Sequence, residues 1–172
     1  MQALKRVQNF DHRLFYWCTG FYHQSRSASA VKWVSRTGDG YLQVILPLIL
    51  AATLNNGGYH FIELTVLCFL YERTLYFILK NTCKRMRPPE KLIDYRSLIQ
   101  ASDKFSFPSG HTSAAFMLAT IVVISFGPAF LWMYLWASAV GASRVLLGVH
   151  FPTDILAGAA LGTGISLLFT CL

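Results

Sequence analysis

The sequence predicts an all-α fold: a polytopic membrane helical bundle of about five transmembrane helices, preceded by an N-terminal interfacial amphipathic helix. Three observations carry this reading. Charged residues make up 13% of the chain, about half the share usual in soluble proteins, while apolar residues reach 54%. Mean hydropathy is +0.44. The apolar residues also gather in long runs separated by turn signals. With 172 residues the chain fits a single domain, 1–172, in which 1–40 form an interfacial segment and 41–172 a helical core.

The elements follow in order. In residues 1–27, Phe10, Leu14, Phe15, Trp17, Cys18 and Phe21 fall largely on one helical face, with His12 and Arg13 off it. That pattern suits a helix lying in the membrane interface. No continuous apolar core appears in "MQALKRVQNFDHRLF", so no cleavable signal peptide is expected. "SRTGDG" at 35–40 reads as a turn. The run 41–54 is about 21 Å long as a helix, against a hydrocarbon core of about 30 Å, and holds Pro47, so a tilted or incomplete span is expected. "NNGG" at 55–58 turns the chain back, and 59–79 is long enough to cross. A polar loop, 80–108, carries "KRMRPPEK". Three further runs, 112–126, 129–147 and 152 to the end, complete the set, with a break at "FGP". Ala137 and Gly141, and again Gly158 and Gly162, stand four apart and let helix backbones approach closely. Cys18, Cys68, Cys83 and Cys171 form neither a CxxC pair nor a metal-binding spacing, and read as buried free thiols.

Alternating crossings bring 80–88, 108–111 and 143–154 to one membrane face. Eight of the 15 Lys and Arg belong to these segments and their loop: Lys80, Lys84, Arg85, Arg87, Lys91, Arg96, Lys104 and Arg144. The loops 55–58 and 126–128 carry none. A formal charge of +7 in so apolar a chain points to lipid head groups or phosphates as partners, and away from nucleic acid.

The chemistry of this cluster is specific. His111 and His150 can supply a nucleophile and a proton donor near neutral pH. Asp154, four residues past His150 and in the first turn after Pro152, can hold one ring nitrogen and raise the nucleophilicity of the other. Lys80, Arg87 and Arg144 offer three cations to a multiply charged oxyanion, and Ser109 and Gly110 add N–H groups at a helix start. Together these suit phosphoryl transfer. No Asp/Glu cluster is present to hold Mg²⁺, so no metal or other cofactor is expected. Singly, each residue has a plainer reading: Lys80 and Arg87 as interfacial anchors, Arg144 snorkelling, His150 capping a helix. Jointly those readings require separate coincidences on one face. Glu72 and Arg73 lie inside the 59–79 run; Glu72, Tyr76 and Lys80 share a face, so Glu72 belongs either to a polar track toward the cluster or to an ion pair.

Lys80-x6-Arg87-Pro88, Pro108-Ser109-Gly110-His111 and Ser143-Arg144-x5-His150-x3-Asp154 resemble, complete and in order, the three motifs of the type 2 phosphatidic acid phosphatase (PAP2) superfamily. Members of that family are membrane lipid phosphatases, and their phosphate pocket is shared with vanadium haloperoxidases. The resemblance implies that His150 attacks phosphorus to form a phosphohistidine, that Asp154 orients it, and that His111 protonates the leaving oxygen. It implies that Lys80, Arg87, Ser109, Gly110 and Arg144 bind the phosphate oxygens. Larger relatives usually have six spans, which this chain does not reach. By analogy with compact bacterial members, polyprenyl (undecaprenyl) diphosphate is the leading substrate expectation. Phosphatidic acid, lysophosphatidic acid and phosphatidylglycerophosphate follow; a vanadate-dependent haloperoxidase or a non-enzymatic lipid-binding protein are the alternatives. The expected location is the cytoplasmic (inner) membrane, multi-pass, with membrane lipids as surroundings. The resemblance implies a catalytic face turned outward to the periplasm, whereas the positive-inside rule would turn it to the cytoplasm if 41–54 spans.

Overall fold

A computed structural model of the chain describes residues 2–22, 28–53, 58–93, 95–101 and 103–171. Every regular element among them is helical: α1 (Gln2–Tyr22), α2 (Ala28–Arg36), α3 (Tyr41–Thr53), α4 (Gly58–Cys83), α5 (Pro88–Lys91), α6 (Gly110–Phe126), a 3-10 turn at Pro128–Phe130, α7 (Trp132–Leu146) and α8 (Pro152–Thr170). The chain is thus an all-α membrane bundle. Among the described residues, each of the five apolar runs holds one α-helix: α3, α4, α6, α7 and α8. Two stretches among the described residues, Pro128–Leu146 and Pro152–Thr170, are by themselves long and apolar enough to cross a membrane. The others fall short for different reasons. Helices α3 and α6 are short; α4 has 26 residues but carries Glu63, Glu72, Arg73 and Lys80. Of the turn expected at 55–58, only Gly58, which opens α4, lies within the described residues.

Helix α6 is apolar nearly all round, and such a helix belongs inside a bundle. From Thr112 to Val122 every residue but Phe116 is buried. It is surrounded by α3, α4, α7 and α8. Helix α8 runs parallel to it, because glycines let the backbones meet. A Cβ on Gly158 would lie 2.5 Å from the Ser109 carbonyl oxygen, and one on Gly162 would lie 2.0 Å from that of Ser113. Further along, Ser166 donates to the Met117 carbonyl at 3.1 Å. Helix α7 runs the other way: Gly141 faces Thr112, and Tyr134 donates to Thr120 at 3.0 Å. So does α4, whose Tyr76 abuts Gly110 while Phe61 meets Phe126 at the far end. This alternation gathers the end of α4, the starts of α6 and α8 and the end of α7 at one end of the bundle.

Helix α1 has three faces. Asp11, Phe15 and Thr19 turn inward and are buried. Phe15 packs on Tyr95 and Phe151, with ring centroids 5.0 and 5.3 Å away. Val7, Phe10 and Trp17 form an exposed apolar stripe beside that face, and exposed Arg6 and Arg13 adjoin it next to Trp17. The apolar set expected on one face is therefore divided: Phe15 docks on the bundle, and Phe10 and Trp17 point away from it. The side chain of Phe21 lies outside the described residues.

Candidate active site

Backbone geometry fixed by proline aims the key side chains. A residue before proline is pushed to extended backbone. Arg87 takes φ −76° and ψ 160° ahead of Pro88, and Phe151 takes φ −81° and ψ 156° ahead of Pro152. The second corner starts α8 so that Asp154, in its first turn, reaches back to accept from the Phe151 N–H at 2.8 Å. Gly148 makes the preceding turn at φ +78°, where a Cβ would stand 2.2 Å from the Tyr95 hydroxyl. Glycine is required there twice over.

His150, 2% exposed, sits between these corners. Its Nε2 faces Arg87 Nη1 at 3.4 Å, and its Nδ1 faces Asp154 Oδ2 at 3.7 Å, longer than a hydrogen bond. A guanidinium only donates, so Nε2 is the ring's lone-pair side and the proton belongs on Nδ1, toward the carboxylate. Burial drives the His150 pKa from 6.5 down to about 4; Asp154 opposes that fall, and the Arg87 and Arg144 charges add to it. The ring is neutral at pH 7. Asp154 is fixed in turn: besides the Phe151 N–H, Oδ2 accepts from the Ser106 hydroxyl, and Oδ1 accepts from Arg85 Nη1 at 2.8 Å. Arg85 also pairs with Asp11 of α1, which accepts from the Thr153 hydroxyl at 2.6 Å.

A cavity of about 610 Å³ opens beside His150, lined by Arg87, Gly110, His111, Arg144 and His150 among others. Five of the eight expected site residues thus face one hollow. Lys80, Ser109 and Asp154 stand behind its wall. Lys80 Nζ donates to the Tyr76 hydroxyl at 2.5 Å and to Asp103 Oδ2 at 2.7 Å. The Ser109 N–H is spent on the Asp154 carbonyl at 3.0 Å, so in this geometry it joins α6 to α8, and Gly110 is the member of the pair exposed to the cavity. Gly110 has no room for a side chain, since a Cβ would meet the Tyr76 ring at 2.9 Å. Arg73 also lines the cavity. It binds buried Glu72 at 2.6 Å and donates to the Gly110 carbonyl at 3.2 Å, so Glu72 belongs to an ion pair.

The sequence model described as the PAP2 superfamily matches residues 42–172. The chain belongs to the PAP2 superfamily. Among curated relatives, this PAP2 chain is 31% identical over 140 residues to the bacitracin transport permease protein BcrC of Bacillus licheniformis, covering 81% of this chain and 59% of that one. It is 36% identical over 110 residues to phosphatidylglycerophosphatase B of Bacillus subtilis, covering 58% of this chain and 51% of that one. It therefore spans little more than half the length of these relatives. Among solved structures, Aquifex aeolicus LpxE superposes with a TM-score of 0.81 at 26% identity, over 93% of this chain and 94% of that chain.

Several residues in the wall of this PAP2 cavity were not singled out from the sequence. Asp39 accepts or shares a proton with His111 Nε2 at 2.8 Å, and Ser35 accepts from Arg144 Nη1 at 2.6 Å. Both come from the segment 1–40, expected from the sequence to lie at the membrane interface, so that part of the chain also contributes to the cavity wall. Asp103 bridges Lys80 and Arg87. The signal for the first pair was available: "SRTGDG" is a polar turn on the same face as the three motifs.

Proposed function

We propose that this protein is an integral-membrane hydrolase of lipid phosphate or diphosphate esters, working through a phosphohistidine at His150. The observation that carries this reading is the aim of one lone pair. His150 Nε2 faces Arg87 at 3.4 Å, on a cavity that His111 and Arg144 also line, with Asp154 behind Nδ1. In the first step the Nε2 lone pair attacks phosphorus, the bond from phosphorus to the lipid oxygen breaks, and the His111 imidazolium gives that oxygen its proton. In the second step neutral His111 takes a proton from water, the water oxygen attacks phosphorus, and the P–N bond breaks to release phosphate. Asp154 stabilises the positive charge His150 acquires. Arg87 and Arg144, with Lys80 and the Gly110 backbone, neutralise the phosphoryl oxygens, so activity is expected to persist in EDTA.

Polyprenyl diphosphate is the first substrate proposed. Phosphatidylglycerophosphate is the second, favoured by the name of the Bacillus subtilis relative. The proposed location is the cytoplasmic (inner) membrane with the catalytic end outward. Four cations of that end are engaged within the site, Lys80 and Arg85 by the carboxylates of Asp103 and Asp154, Arg87 and Arg144 by the Val149 carbonyl and the Ser35 hydroxyl, which supports reading them as parts of the site rather than as signals of topology.

The test is phosphate release by the purified chain in detergent against a panel of lipid phosphates, with and without EDTA. Release is expected from at least one of them, unaffected by EDTA and abolished in His150→Ala. Full activity in that variant would refute the nucleophile.

A further inference from the structure

Asp103 holds a position that the proposed reaction needs for its substrate. Its Oδ2 accepts from Lys80 Nζ at 2.7 Å and from the Tyr76 hydroxyl at 2.6 Å. Its Oδ1 pairs with Arg87 Nη2, and its carbonyl accepts from Arg87 Nε at 3.0 Å. Lys80 and Arg87 are each 5% exposed. Two buried cations side by side repel one another and need an anion between them. Among the described residues, Asp103 is the carboxylate in contact with both.

The two sides of this contact differ in freedom. Lys80 is fixed on a long helix, and Arg87 is pinned by its donation to the Val149 carbonyl at 2.6 Å. Asp103 lies in the irregular stretch before α6, and its side chain is 36% exposed. A phosphoryl group on His150 Nε2 would fall within reach of the same guanidinium. A carboxylate and a phosphate dianion drawn to the same two cations compete for them, because like charges that close repel strongly.

We propose that Asp103 is a resident anion of the phosphate subsite: its carboxylate holds Lys80 and Arg87 in the resting site and yields both to the phosphoryl group. The inference rests on the phosphatase reading and extends it, making Asp103 a determinant of phosphate affinity. In the resting site it keeps the cations paired and aligned. On binding it swings toward solvent, and on product release it returns, so that inorganic phosphate is displaced by a charge of the protein's own.

The experiment is a titration of inorganic phosphate into the purified full chain in detergent, followed by ³¹P line broadening and by inhibition of lipid phosphate hydrolysis. Asp103→Asn is expected to bind phosphate at least about tenfold more tightly, the fold-change of one exchanged charge-assisted hydrogen bond. Asp103→Ser carries the same expectation and serves if the first variant does not fold. Equal or weaker binding in the folded variant overturns the proposal and makes Asp103 a strut that positions the cations. If the unchanged chain neither binds phosphate nor releases it from lipids, the functional reading fails first; phosphate binding without tightening in the variants defeats this inference alone.

Discussion

At the scale of residues, the neutral state of His150 sets the acid side of the pH behaviour. Its pKa falls from 6.5 to about 4 through burial, so the acid limb of the rate profile is expected near pH 4 rather than near 6.5. The same shift enters stability. The folded-state pKa is depressed, so the contribution is complete above 6.5 and is lost as the pH falls through about 4. Thermal unfolding measured across that window should show a falling midpoint. Asp154→Asn keeps the shape of the carboxylate but removes the charge facing Nδ1; kcat is expected to drop by about 10²–10⁴-fold with little change in KM, measured by steady-state kinetics. The motif residues were legible in the sequence because they sit at fixed spacings beside prolines and helix ends. Asp103 was not, since it reaches Arg87 from an irregular stretch 16 residues away, and the polar turn at 35–40 did not by itself say that Asp39 and Ser35 meet His111 and Arg144, 72 and 109 residues on. Arg85 was counted among the basic residues, but nothing in its position marked it as the partner of both Asp154 and Asp11.

At the scale of elements, the contact between α6 and α8 sets the distance between the two halves of the site. Ser109, just before α6, and Asp154, in the first turn of α8, are tied by one hydrogen bond of 3.0 Å, and the glycines below keep the helices at that separation. Gly162→Ala would place a Cβ 2.0 Å from the Ser113 carbonyl oxygen, which is backbone and does not yield. A loss of about 1–3 kcal/mol is expected, with lowered activity as the start of α8 is pushed away. Gly164→Ala is the matched control. Nothing lies within 4 Å of its Cβ position, so the gain in helix propensity of up to about 1 kcal/mol should show alone. Unfolding midpoints of the two variants in the same detergent decide the point. The five apolar helices and this small-residue contact were readable from run length and spacing. The divided face of α1 was not, because an aromatic stripe is the same in sequence whether it meets lipid or protein. What separates the two faces is Asp11, whose partners Arg85 and Thr153 lie 74 and 142 residues away.

At the scale of the whole molecule, α2 and the turn after it lie at the cavity end, where Ser35 and Asp39 join the wall, and α1 reaches the same end through Asp11, which pairs with Arg85 and Thr153. The positive charge of the N-terminal segment therefore adds to that of the motif loops, and a plain count of Lys and Arg would turn this end to the cytoplasm. The proposed outward site opposes that count, and two native thiols can decide between them. Cys83 closes α4 at the cavity end, Cys171 follows α8 at the opposite end, and both are exposed, contrary to the burial expected of them. In a chain with Cys18 and Cys68 replaced by Ala, variants retaining either Cys83 or Cys171 differ only in which side presents the thiol. A membrane-impermeant maleimide applied to intact cells is expected to label the Cys83 variant, and to reach Cys171 only after permeabilisation. The reverse pattern would place phosphate release in the cytoplasm. The site's geometry would be unchanged by that result, but the lipid leaflet that supplies its substrate would be the inner one.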